Sequence, residues 1–66
     1  MNGEKHMVKG IVKKPYWGIK PGETIYIDFS GKFNHAAIGI YNSEMKFIVY
    51  IWDKEMLDEC VEYKLQ

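Results

Sequence analysis

Arginine is absent from this chain of 66 residues, so all nine of its basic side chains are lysines. The guanidinium fork grips phosphate and guanine through two parallel hydrogen bonds, and its absence argues against a dedicated reader of nucleic-acid sequence. The one cysteine, Cys60, has no partner for an internal disulfide, which excludes the disulfide-stapled secreted scaffolds and fits a reducing compartment. No apolar run approaches the roughly 20 residues of a membrane-spanning helix, and the polar start, Met1 to His6, lacks the apolar segment of a signal peptide. A soluble, cytoplasmic protein without membrane contact is therefore expected. A phosphate-binding loop is missing as well, because Ser30-Gly31-Lys32 has no glycines upstream of it.

What is present is alternation with a period of two from Pro21 to Trp52. In 24–29, Ile25, Ile27 and Phe29 share one side, with Tyr26 and Asp28 opposite. In 35–41 the apolar set is Ala36, Ile38 and Ile40, with His35, Ala37, Gly39 and Tyr41 opposite. In 46–52 it is Phe47, Val49 and Ile51, with Lys46, Ile48, Tyr50 and Trp52 opposite. Paired antiparallel, the three strands present one aliphatic core face and one aromatic face. Pro21-Gly22 fits a type II turn, and Asn42-Ser43-Glu44 has hairpin-loop length.

Residues 1–5 have no apolar anchor and are expected to fray. Met7 to Lys14 is rich in β-formers and reads as a first strand with a bulge or twist near Gly10, ended by Pro15. Tyr16-Trp17-Gly18-Ile19-Lys20 then forms a loop with two large aromatics. After Trp52 two readings compete. A helical turn over 54–58, with Asp53 as N-cap, can be followed by a strand in which Val61, Tyr63 and Leu65 alternate with Glu62 and Lys64. Alternatively one helix over 54–65 covers a four-stranded meander, an α+β fold. The first is preferred. It gives a single mainly β domain over 1–66, with about five antiparallel strands. Its order of strand, long aromatic loop, three-strand meander, helical turn and last strand resembles the SH3-like small barrel. The resemblance is one of architecture across nearly the whole chain. The proline-peptide site of signalling SH3 domains requires an ALYDY-type motif in the first long loop, and Tyr16-Trp17-Gly18 does not reproduce it.

Charge is balanced overall but uneven along the chain. Residues 1–20 carry five lysines against Glu4, a net of +4, and residues 53–62 carry five acids against Lys54, a net of −4. The candidate binding residues are Tyr16, Trp17, Tyr26, Tyr41, Tyr50 and Trp52, the residue types that dominate protein interfaces, joined by the acids Asp53, Glu55, Asp58 and Glu59. The blander alternative is that the aromatics form a second small core and the acids a solvated face. Self-association through the same patch would suit so small a domain. The rival function is nucleic-acid binding, with bases stacked on the aromatics and Lys9, Lys13, Lys14 and Lys20 along the backbone; zero net charge argues against it.

Metal binding through His6, His35 and Cys60 is disfavoured, since none falls at a paired CxxC or HxxxH spacing. Catalysis is disfavoured too, because nothing in the sequence brings Cys60, His35 and Asp28 together as nucleophile, base and orienter. No cofactor is expected. The sequence reading is a small non-catalytic protein-binding module. In size and composition it resembles phage and mobile-element proteins, including inhibitors that dock on host defence nucleases.

Overall fold

A computed structural model of the chain describes residues 7–30 and 37–64. Five antiparallel strands and one short helix follow in the order β1 (Met7–Val12), β2 (Thr24–Asp28), β3 (Ile38–Tyr41), β4 (Phe47–Ile51), α1 (Lys54–Cys60) and β5 (Val61–Lys64). They build one sheet of spatial order β4-β3-β2-β1-β5, so the last strand returns to the first and the sheet stays open between β4 and β5. The mainly β fold with a short helix before the last strand is the expected one.

The C-terminal fork is thereby decided against a continuous helix over 54–65. α1 is capped by the Asp53 side chain, which accepts from the Met56 amide, and it runs to Cys60, two residues beyond the expected turn. At Val61 the backbone becomes extended and pairs with Val12, because Val61 must enter the core. Among the described residues no helix is long and apolar enough to cross a membrane.

Register decides what is buried. Ile27 stands opposite Ile40, Ile40 opposite Val49, and Ile38 opposite Ile51. Ile25, Ile27, Ile40, Ile51, Val12 and Val61 then meet Leu57 and Cys60 of α1 in one core. Complete burial of such side chains contributes about 1.5–3 kcal/mol each, opposed by the entropy of ordering the chain.

Three expectations about faces and bulges are corrected. β4 carries a bulge that leaves Ile48 without an opposite residue, so Phe47 falls opposite Tyr41 on the outer face, half exposed, while Ile48 packs against the core. One extra residue inverts the alternation on one side of it. β2 ends at Asp28, leaving Phe29 exposed against the Tyr63 ring instead of in the core. At Gly10 the register is unbroken, opposite Ile25 on one side and Tyr63 on the other, so of the bulge or twist expected there no bulge is found; the bulge lies in β4. His35 and Ala36, read as the start of the third strand, lie outside the described residues.

The turn at Pro21-Gly22 is as expected. Gly22 has φ +96°, and the Glu23 amide donates to the Lys20 carbonyl at 3.2 Å, which together are the marks of a type II turn. Gly22 and Val12 amides donate to the Val12 and Glu23 carbonyls respectively, closing the base of the long loop after β1. The loop is also tied to α1, whose Cys60 carbonyl accepts from the amides of Lys13 and Lys14.

Candidate functional site

The tip of the long loop is a hairpin of minimum size. Tyr16 and Ile19 exchange backbone hydrogen bonds of 3.1 and 2.9 Å across Trp17-Gly18. Both central residues have positive φ, +51° for Trp17 and +78° for Gly18, which makes a type I′ turn. Asn or Gly is the usual first residue there, and a bulky side chain in this left-handed region costs about 1–2 kcal/mol. Tyr16 and Ile19, at 4 % and 7 % exposure, point down into the core and hold the turn, whereas Trp17 stands out at 57 %. Tyr16, read as a surface residue, is thus a core residue. Burial raises its hydroxyl pKa, and a hydrogen bond with the Trp17 side chain pulls the other way.

Trp17 faces the end of β4 and the start of α1. Tyr16, Trp17, Tyr50, Ile51, Trp52, Asp53 and Met56 enclose an open, largely apolar cleft of about 400 Å³. Its rim is unusually greasy for a surface, with Trp52 at 61 % and Met56 at 51 % exposure beside Trp17. Five of the residues expected to bind a partner converge here. Met56, three residues after the cap Asp53, also lines the cleft and was not among the expected binding residues.

The remaining candidates lie elsewhere. Glu55 and Glu59 are exposed on α1 but do not line the cleft. Asp58 is engaged, because the Tyr63 hydroxyl donates to it and Lys54 bonds it at 3.0 Å. Those two bonds hold its carboxyl below the usual range. The Tyr63 hydroxyl is pushed far up, first by burial and then by the same carboxylate. Tyr26 and Tyr41 lie opposite one another on the outer face of the sheet. There Phe47 packs edge-on against Tyr41, at 5.7 Å between centroids, and at a tilt against Tyr50, at 4.5 Å.

Register places Lys64, Lys9, Tyr26, Tyr41 and Phe47 in one row across all five strands of that outer face. Beside Tyr26 in the next row is Asp28, 8 % exposed and accepting from the Ser30 amide. Tyr16 does not cover this face, since it is buried in the core on the opposite side.

Cys60 is buried against Leu57 and Val61, as a small hydrophobe would be. Among the described residues no three His, Cys, Asp or Glu side chains come together as a metal site; His6 and His35 lie outside those residues. No protein-family model, curated protein or solved structure matches this chain.

Proposed function

We propose that this chain is a non-catalytic protein-binding module that works through the cleft between Trp17, Trp52 and Met56. The observation that carries the reading is Trp17 itself. A large apolar side chain is held in a left-handed conformation at the tip of a turn, where it is exposed and costs stability. Met45 shares that conformation and exposure; what sets Trp17 apart is that it lines an apolar cleft with Trp52 and Met56. The strand order, in which the last strand returns to the first, also supports an SH3-like arrangement.

Asp53, which lines the cleft, and the exposed Glu55 and Glu59 of the helix it caps favour a partner with a basic surface. Proteins that handle nucleic acids have such grooves, and a chain that occupied one would act as an inhibitor. The test is affinity capture from host extract with and without nuclease. The expected result is a discrete protein, retained after nuclease treatment and lost with Trp52→Ala plus Met56→Ser, both exposed positions that should leave the fold intact.

A second reading has its own observation, the row of Lys64 and Lys9 beside Tyr26, Tyr41 and Phe47 on the outer face, which suits base stacking. Asp28 and Glu62 on the same face weigh against a polyanion. If this reading holds, captured material disappears with nuclease and affinity falls steeply with salt, because each phosphate contact releases counterions.

A further inference from the structure

Of the seven residues around the cleft, one is charged: Asp53 stands in a wall otherwise made of tyrosine, tryptophan, isoleucine and methionine. Its Oδ1 accepts from the Met56 amide at 3.2 Å as the helix cap, which leaves Oδ2 to an incoming donor. The neighbouring cation, Lys54, is held by Asp58 at 3.0 and 3.1 Å and does not line the cleft. This single acid decides what can fill the space. A purely apolar side chain laid there strips water from the carboxylate and gives no hydrogen bond in return. A lysine ammonium meets the opposite difficulty, because it is strongly hydrated, carries three donors, and finds few acceptors on aromatic walls. A guanidinium suits both surfaces: its weakly hydrated faces stack on indole, while its edge donates to a carboxylate. Trp17 and Trp52, each more than half exposed, offer the indole surface, and Met56 offers an apolar rest for a methylene stem.

We propose that the cleft is an arginine-binding site, which takes one arginine side chain of a partner protein, stacks its guanidinium on Trp17 and Trp52, and accepts its N–H at Asp53. Glu55 and Glu59, exposed on α1, extend the negative surface toward further basic residues of the same partner. The chain has no arginine of its own, so a second copy cannot supply the occupant. This inference rests on the protein-binding reading and adds to it the residue that anchors the partner.

The probe is a displayed library of random twelve-residue peptides, selected on the intact protein and counter-selected on the Trp52→Ala variant. Enriched peptides should share an arginine. Trp17 and Trp52 are the chain's two tryptophans and both line the cleft, so intrinsic tryptophan emission reads its occupation directly. In a titration followed by that emission, replacing the shared arginine with citrulline, its uncharged near-isostere, should weaken binding about tenfold. Replacing it with lysine should cost about threefold or more. Asp53→Asn, which keeps the helix cap, should weaken the arginine peptide about 3- to 10-fold and leave the citrulline peptide within about twofold. That coupling between one peptide residue and one carboxylate is what a merely structural Asp53 would not produce.

Enriched peptides that depend on Trp52 but share an apolar residue and no arginine would overturn guanidinium recognition while leaving the cleft as a binding site. Equal affinity of the arginine and citrulline peptides, or lysine equal to arginine, would overturn it as well. So would failure to enrich any peptide that depends on Trp52. The protein-binding reading fails by a separate route, when capture from extract is insensitive to Trp52→Ala and Met56→Ser or is abolished by nuclease.

Discussion

A methyl group of Val61 occupies the space where a side chain on Gly10 would begin: a Cβ built on Gly10 lies 2.5 Å from Val61 Cγ1 and 3.3 Å from Ile27 Cδ1. β1 and β5 approach through this contact, with Gly10 buried and Val61 at 1 % exposure. Gly10→Ala should therefore destabilise by about 1–3 kcal/mol, the usual cost of overpacking a core. Adding Val61→Ala makes room for the new methyl, so the double variant should be more stable than the two single effects summed would give. Denaturant titration of the four proteins measures the coupling, and strict additivity would show that the two residues do not compete for one space.

Two large residues occupy left-handed positions, Trp17 and Met45, with φ +51° and +67°. Met45 closes the β3–β4 hairpin, where the Asn42 side chain accepts from the amides of Glu44 and Lys46. Met45→Gly should stabilise by about 1 kcal/mol, a rise of about 4–8 °C in thermal midpoint, without loss of binding. Trp17→Asn relieves similar strain but loses the edge contact with Tyr16, about 0.5–1.5 kcal/mol, so the midpoint should stay within about 8 °C of the wild type while binding is lost. Unimpaired binding by Trp17→Asn would remove the central argument for the cleft.

The acid and alkaline limbs of stability should be separable through one pair of residues. Asp58 has its carboxyl lowered from an ordinary 3.8 by the Tyr63 hydroxyl and Lys54, so its contribution is present above that value and lost as pH falls through the folded-state value. Tyr63 has its hydroxyl raised above 10.0, so its contribution is full below that and fades as pH rises further. Asp58→Asn should flatten the loss of thermal midpoint in acid, and Tyr63→Phe the loss above pH 10.0. Melting curves across both ranges check each limb, and unchanged slopes would rule out these groups as the source.

Core and cleft should respond differently to truncation. Leu57→Ala, at a side chain with no exposure, should cost about 2–5 kcal/mol. Trp52→Ala, at 61 % exposure, should change stability by no more than about 0.5 kcal/mol. A large loss at Trp52, read by the same denaturant titration, would make it structural.

The three strands of the meander could be read because Ile25, Ile27, Ile38, Ile40, Val49 and Ile51 repeat at a period of two, and Pro21-Gly22 marks its own turn. Phe47 was misplaced because a bulge carries no residue-type signature and inverts a face from one position onward. The cleft was half legible. Tyr50, Trp52 and Asp53 come from neighbouring positions, but their meeting with Trp17 depends on how the loop after β1 is pinned by Tyr16, Ile19 and the Cys60 carbonyl. Tyr16 and Trp17 are adjacent aromatics in a loop, and only the left-handed turn sends one inward and the other out.

The strand order has a consequence for synthesis. Among the described strands β1 comes earliest in the chain, yet it lies between β2 and β5, with Lys9 opposite Lys64. Pairing partners so far apart in sequence make closure slow, because a long loop must be ordered before the contact repays it. On the ribosome, β1 has one hydrogen-bonding edge bare until residues 61–64 emerge, and a nascent chain stalled before Val61 exposes an unfinished sheet interior. Until those four residues are in place, the space beside Gly10 that Val61 fills stays empty and the β5 side of β1 stays uncovered.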